Sequence, residues 1–562
     1  ATDLDGNYSM SVPSSATTLT VSYMGMRDGD VPIKGDVVNI VMEEDVASLD
    51  ELIVIGYGTV KKRDLTGSVS SISSKDIVAA PVSNVAQALQ GKLAGVNVVS
   101  QDGRPDASIS IRVRGGGSIS QSNDPLVLID GIAGSLNDIP SEQVESIDVL
   151  KDASSTAIYG ARGANGVILV TTKGAKEGKI SVNYSGYAKF NTPTKYLEAL
   201  GPYDYLAYKW GVAAAHGDAY RLPFEKLYGL GANAGSNTGG IDAYRDTPRF
   251  DMQKEAYKQS FSHNHDLTIA GGNDKTKVMF SVNYTDEQGM KINSFFKRVN
   301  SNLKISQKIS DRLEFGMDTR YVDIQNMSSE GTVSGSGSIL SSAYRFRPIA
   351  LEDIKGDLSA LESGNIEQYA KNSMWDLYGP AVRLADYEPL TIRQSLRSTA
   401  NLNWSIIDNL NFRTELTLGR AWNQSKIWQG AMYMGGDYFD TFTQEIMYAG
   451  NSDYRKSDKW NMRWSNTLNY DISINDKNRL NILVGQEVTD SGGSEMRVQS
   501  TYFPANFTKD NAFAMINQND KDKGRSQTSS SIDTPDRILS FFSRVNYSLM
   551  DKYLLTVTFR GD

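Results

Sequence analysis

The segment KVMFSVNYTD, residues 277–286, decides how most of this chain is read. Val278, Phe280, Val282 and Tyr284 alternate with Met279, Ser281, Asn283 and Thr285, the period of two that marks a strand with unlike faces. The same alternation returns in RLEFGMDTRY (312–321), where Leu313, Phe315, Met317 and Tyr321 oppose Glu314, Asp318 and Arg320. In MRWSNTLNYDISI (462–474), Met462, Trp464, Leu468, Tyr470, Ile472 and Ile474 oppose Arg463, Thr467, Asn469 and Asp471. Eleven such strands follow one another from residue 179 onward, most of about 10–15 residues.

Their connections alternate as well. Short polar turns (GGNDK, ISDR, IIDN, INDKN, LMDK) recur near residues 273, 310, 408, 476 and 551, and most other connections are long: 191–261, 326–390, 423–457 and 491–535. Long strands, apolar on one side and polar on the other, short-looped at one end and long-looped at the other, describe a transmembrane antiparallel β-barrel. The apolar face is expected to meet lipid and the polar face a wet lumen. Trp404, Trp464, Tyr470 and Tyr547 share the lipid-facing parity and suit an aromatic girdle. A soluble sandwich or propeller also alternates, but its strands run nearer 5–6 residues. Eleven strands leave two unpaired edges, and unpaired backbone groups in lipid are costly. The strand at 552–562 is therefore expected to pair with sequence outside this numbering.

Composition agrees. A chain of 562 residues with 49 Gly, 28 Tyr and 15 Pro is too long for one compact domain and favours β structure. Net charge is −8 with scattered basic residues, which argues against nucleic-acid binding. Cysteine is absent, so disulfides, thiolate metal sites and a cysteine nucleophile are excluded. No apolar run approaches the roughly 18 residues of a membrane helix. The opening ATDLDGNYSM carries no secretory signal and reads like the middle of a β-domain, so the true N-terminus is expected upstream.

Three further regions precede the barrel. Residues 1–47 hold three strand-like runs, NYSMSVP, TLTVSYMGM and VVNIVMEED, punctuated by turns at Asp5-Gly6 and around Gly29-Asp30, a partial β-sandwich. Residues 48–63 form a tether around the apolar run Leu52–Ile55, set between Asp50-Glu51 and Lys61, Lys62 and Arg63, with no obvious hairpin partner nearby. Residues 64–178 read as an α+β domain. Val85, Leu89 and Leu93 stand at helical spacing before Gly95, SSTAIYG is a short helix, and ISIRVRG, PLVLIDG, VESIDVLKD and GVILVTTK are strands.

LKDASSTAIYGARGANGVILVTTKGA at 150–175 closely resembles the plug signature of SusC/RagA-type TonB-dependent outer-membrane transporters. IRVRGGGSI (111–119) and DPLVLIDG (124–131) look like two further plug motifs of that family, and TDLDGNYSMSVP is similar to its carboxypeptidase-regulatory-like extension. The resemblance runs the length of the chain: extension 1–47, TonB box and tether 48–63, plug 64–178, and barrel 179–562 as the first 11 of about 22 strands. It implies a bacterial outer-membrane location with plug and extension facing the periplasm. It also implies uptake driven by TonB with ExbB and ExbD, a SusD-like lipoprotein as lid, and a dimer of SusC–SusD pairs. The implied cargo is an oligosaccharide, or alternatively an oligopeptide; a siderophore or cobalamin receptor and a non-transporting surface binder are the remaining alternatives. No catalysis and no cofactor are implied.

The resemblance places Glu51, Leu52, Ile53, Val54, Ile55, Gly56 and Tyr57 at the TonB box, and an apolar strand on a tether can add to an exposed sheet edge. The alternative is a last strand of the N-terminal sandwich. Ser118, Ser120, Gln121, Asn123 and Asp124 follow Gly115–Gly117 on a plug loop that touches substrate in such transporters. That glycine run lacks the GK[ST] of a P-loop. Trp375, Tyr378, Trp428, Tyr433, Tyr438, Phe439, Tyr502 and Phe503 on the long loops offer rings for stacking on sugars or peptide side chains, or for packing the loops together. Arg320, Arg413, Glu415, Arg463, Glu487 and Arg544 at lumen parity would hold the plug or line the solute path. His263 and His265 share a strand face, but His216 is the one other histidine, too few for a metal site or a Ser-His-Asp triad.

Overall fold

The computed structural model describes residues 10, 17–21, 29–33, 35, 38, 40, 52–55, 58–61, 69–78, 82, 84–100, 103–105, 107, 109–115, 122–231, 240–328, 339–356, 379–434, 436–440, 445–475, 477–550 and 552–562. Near the start, β1 (Thr18–Val21) pairs with β2 (Gly29–Pro32), and β3 (Leu52–Ile55) pairs with β4 (Gly58–Lys61), both antiparallel. Both pairings correct the sequence reading. Gly29-Asp30 is strand rather than turn, because Val31 stands opposite Leu19. The apolar run at 52–55 has a hairpin partner two residues on, with Ile55 opposite Gly58. A glycine at the first of two loop positions is a hairpin signal, and Gly56 supplied it.

The α+β unit is built on β5 (Val69–Ser73), β6 (Val96–Ser100), β7 (Ile109–Val113), β8 (Leu126–Ile129), β9 (Ile132–Ala133), β10 (Val144–Leu150) and β11 (Val167–Thr172). One sheet runs in the order β5-β10-β11-β8-β9, and β6 pairs separately with β7. Ile77, Val85, Leu89, Ile139, Ile147, Val149 and Ile168 form its buried core. The helix expected to run to Gly95 stops at Ala88: Asn84 caps it on the Ala86 amide, and Gly91 then takes a left-handed φ of 72°.

Beyond it lies a meander: β12 (Gly178–Asn191), β13 (Ser260–Gly272), β14 (Thr276–Gln288), β15 (Ser294–Ser310), β16 (Leu313–Ser328), β17 (Tyr387–Ile407) and β18 (Leu410–Gly430). A small loop hairpin follows, β19 (Phe439–Asp440) with β20 (Glu445–Ile446), and then β21 (Gly450–Asn475), β22 (Asn478–Ser500), β23 (Ser526–Ile532), β24 (Asp536–Leu549) and β25 (Tyr553–Gly561). Eleven strands follow one path, β12-β13-β14-β15-β16-β17-β18-β21-β22-β24-β25, with β23 continuing the edge pairing of β22 above β24. All five short turns fall where the sequence put them. The strands are longer than expected, β21 reaching 26 residues, so parts of the long connections are strand. Within the described residues β12 and β25 each pair on one side, and the sheet does not close.

Burial in this sheet is inverted relative to a soluble protein. On β14, Val278 and Phe280 are exposed, whereas Ser281, Asn283 and Thr285 are buried, Asn283 completely. Trp404, Leu416, Leu418, Trp464, Leu468 and Val484 are likewise exposed, while Asn264, Arg298, Asn300, Asn302 and Arg320 are buried. A sheet that hides its amides and guanidiniums and shows its leucines is stable only with lipid outside. One expectation needs correcting: around β13–β16 the polar face meets the α+β unit, which fills the sheet's concave side, rather than an open lumen.

Candidate functional site

The hairpin β8–β9 carries the first contact between unit and wall. Its two-residue loop is Asp130-Gly131, both at positive φ (50° and 84°), the Asp-Gly pairing that a type I′ turn calls for. That turn aims the Asp130 carboxylate sideways, where it accepts from the Thr172 amide at 2.9 Å and the Thr172 hydroxyl at 2.6 Å. Lys304 of β15 lies 3.2 Å from it and Arg320 of β16 lies 3.7 Å from it. Burial alone would raise the Asp130 pKa; the two cations and the Thr172 bonds outweigh it and hold the carboxyl at about 2.

The segment after this turn is gripped along its backbone. Arg298 of β15, fully buried, donates to the carbonyls of Asn137 at 3.0 Å and Ile139 at 3.4 Å. Asn300 donates to the Asp138 carbonyl at 2.6 Å, and Arg393 of β17 pairs with the Asp138 carboxylate. Three adjacent strands thus grip residues 130–139 through polar bonds.

The opposite wall meets the 150–166 segment. Ile158 packs on Leu483 and Phe542, and the Arg560 guanidinium donates to the Ile158 carbonyl at 3.1 Å. Gly160 has φ 63° and ψ −152°, a conformation essentially confined to glycine, and a Cβ there would stand 2.9 Å from Asp562. Glu487 joins wall to unit, with Arg463 at 2.6 Å, Arg560 at 3.2 Å and Arg162 at 3.8 Å.

Of the lumen-parity residues singled out from sequence, Arg320 and Glu487 touch the inner unit directly. Arg463 bridges Glu415 at 2.8 Å, and Arg413 pairs with Glu415 at 2.6 Å, both within the wall. Arg544 is buried. Sequence reasoning missed Asp130, Arg298, Asn300, Lys304, Arg393 and Arg560. The available signal was the Asp-Gly dipeptide closing an apolar run, and the strand parity that puts 298, 300 and 304 on one face.

The loop rings pack mostly on one another. Trp428 is buried with Phe503 and Ala512. Tyr438 is buried, stacks on Tyr502 with centroids 4.5 Å apart, and donates to Asn451 at 2.7 Å; Phe439 belongs to the same cluster. Tyr433 stacks on Tyr387 at 4.5 Å. Asp124 is exposed and pairs with Arg112 at 2.8 Å, and Asn123 is half-buried. Glu51, Gly56, Tyr57, Ser118, Ser120, Gln121, Trp375 and Tyr378 lie outside the described residues, as do the side chains of Leu52, Ile53, Val54 and Ile55. His263 and His265 do share the outward face, in a ring belt with Phe261 and Tyr284 and with the Tyr184 hydroxyl 2.7 Å from His265 Nδ1. Among the described residues no cluster of three or more His, Cys, Asp or Glu suits a metal ion.

A lipid-facing sheet curled around an α+β unit, and bonded to it from both sides, defines a plugged outer-membrane barrel of the TonB-dependent receptor class. Residues 61–167 match the TonB-dependent Receptor Plug Domain family. The whole chain is 29% identical to the TonB-dependent receptor SusC of Bacteroides thetaiotaomicron, over 53% of that protein. It is 31% identical to a TonB-dependent receptor of Formosa agariphila, again over 53%. Its backbone matches the structure of the RagAB peptide importer in the open-open state with a TM-score of 0.72 at 24% identity, over 91% of this chain and 56% of that one. The chain belongs to the SusC/RagA type of TonB-dependent receptor, an outer-membrane family whose plug faces the periplasm. It spans about half the length of the curated relatives it matches.

Proposed function

We propose that this chain is part of an active importer that takes oligosaccharides across the outer membrane when TonB, with ExbB and ExbD, pulls on its plug. The observation that carries this reading is the kind of bond gripping the plug's 130–139 segment: ion pairs and hydrogen bonds from β15, β16 and β17, which water can replace. A SusD-like lipoprotein would close over the loops, in a dimer of such pairs. We assign 1–47 to the extension, 48–63 to the TonB box and tether, 64–178 to the plug and 179–562 to the barrel. Residues 51–57 are the TonB-binding segment, and Leu52–Ile55 pairs with Gly58–Lys61 through only four residues a side, a hairpin that exchange for a partner strand would displace at small cost. Oligopeptide cargo is the second reading, favoured by the likeness to the RagAB peptide importer.

Deleting 51–57 from the complete receptor tests the coupling. Expression and membrane insertion should be retained and surface binding of cargo should persist, while uptake falls to background. Growth on the cargo at the wild-type rate would sink the reading.

A further inference from the structure

Arg320 and Arg397 stand directly opposite each other on β16 and β17, both on the inward face. Like charges so placed repel, and a wall that keeps them needs a negative partner between them. Arg320 is 4% exposed, yet its Nε and Nη1 have no hydrogen-bond partner; only Nη2 is engaged, by Thr172 and Asp130. Arg397 makes no hydrogen bond or ion pair within the described residues. The plug residue beside it is Gly134, where a Cβ would stand 3.8 Å from Nη1, so at this residue the plug brings no side chain against the guanidinium. Both arginines line one cavity of about 500 Å³ between the plug's 129–138 segment and the inner wall. Asp130, Asp318 and Asp138 act on Arg397 through space, but none bonds to it, and Asp130 and Asp318 are shared with Lys304. Asp138 is taken by Arg393, and Asp533 and Asp536 belong to the far end, beside β23 and β24.

We infer that this cavity is an oxyanion site: Arg320 and Arg397 together bind a carboxylate or sulfate group of the cargo, and the bound group competes with Asp130 for Arg320. The planar guanidinium fork suits two-oxygen anions, and unpaired buried N–H groups gain most from such a partner. The inference rests on the import reading and adds two things to it. The cargo carries a negative group, and its arrival weakens the plug's hold on β16. Asp130 keeps Lys304, which also lies 3.6 Å from Asp318, so the plug is loosened at one contact and not set free.

The test uses the complete receptor and calorimetric titration with paired probes: trigalacturonate against maltotriose, and a free-acid tripeptide against its C-terminal amide. In the wild type one acidic probe should bind at least tenfold tighter than its neutral counterpart, and which pair shows this separates a uronate from a peptide carboxylate. Arg397→Gln should abolish that preference while leaving the neutral probe's affinity unchanged, and Arg397→Lys should restore part of it. Removing one of two repelling charges should leave the heat-modifiable barrel band intact, which checks folding. Equal binding of acidic and neutral probes by the wild type, or equal weakening of both by Arg397→Gln, overturns the site. Uptake separates the two readings. If it needs residues 51–57 but is blind to Arg397→Gln, the oxyanion site alone falls; if it does not need 51–57, the import reading falls.

Discussion

Asp130→Asn isolates the charge at one contact of plug and wall while keeping its turn, because asparagine also tolerates the left-handed backbone that residue 130 adopts at φ 50°. The magnitude follows from titration. Docked, the carboxyl ionises at about 2 rather than 3.8. At about 1.4 kcal/mol per pH unit the docked site favours the charged form by about 2 kcal/mol over a free carboxyl; Thr172 belongs to the plug and keeps its share on release, so Lys304 and Arg320 supply part of this. Losing the wall's part of that raises the released fraction of plug by up to about 30-fold. Because the docked pKa is the lower one, the contribution is complete above pH 3.8 and is lost as pH falls through 2. The assay is ion conductance of the complete receptor in planar bilayers under rising urea, which reports plug release as open pores. The variant should open at lower urea than the wild type at pH 7, and the gap should close as pH falls toward 2. The same urea onset at pH 7, or a gap that persists at pH 2, would refute the latch.

Two expectations concern the wall. Val282→Arg, outward on β14, should cost about 2–4 kcal/mol in refolding titrations in liposomes, whereas Ile474→Arg beside the 476–477 turn should cost about 0–1; equal costs would contradict the assigned face. Residues 1–562 produced alone leave β12 and β25 each with one unpaired edge, so they should aggregate and show no heat-modifiable band on electrophoresis, and co-expressed complementary strands should restore it.

Much of this architecture is legible in sequence because lipid and plug impose opposite demands on alternate residues. Val278, Phe280 and Val282 against Ser281, Asn283 and Thr285 announce both faces of β14 at once. The signal fades where strands rise past the lipid. Over 452–459 of β21, Asp453, Arg455, Lys456, Asp458 and Lys459 occupy both parities; backbone hydrogen bonds and cross-strand pairs such as Arg497–Asp453 and Arg420–Asp458 continue the strand, and its extent could not be read from an apolar alternation. The site was less legible for a different reason. Arg298, Asn300 and Lys304 look like any polar lumen residues until the fold brings a segment 160 positions earlier against them. The loop rings failed as readable binding residues because aromatic side chains serve stacking on cargo and burial equally well, and Trp428 and Tyr438 are buried.

The two sides of the plug differ in kind, and this bears on how it leaves. On the β15–β17 side, residues 130–139 are gripped by groups that water also solvates, beside one small apolar cluster of Phe296, Val322 and Ile324, so hydration offsets much of the loss when it parts. The β22–β25 side contains the apolar contact of Ile158 with Leu483 and Phe542, which hydration penalises on opening. Phe542 is 2% exposed, and its ring covers Gly485, where a Cβ would come within 2.2 Å of Cζ. A pull on the N-terminal tether should therefore part the polar side first and leave the Ile158 side as the last attachment. Phe542→Ala should lower the urea onset of conductance at pH 7 and at pH 3 by the same amount, since no titrating group is removed. A buried phenylalanine contributes about 3 kcal/mol or more on truncation; part of this ring's burial is on Leu483 and Gly485 of the wall and survives plug release, so the shift should be smaller than that. Single-molecule pulling from the tether should show two steps in the wild type, and in Phe542→Ala the second alone should weaken. Weakening of the first step instead would place the apolar contact on the side that opens early, reversing the order argued from the chemistry of the two walls.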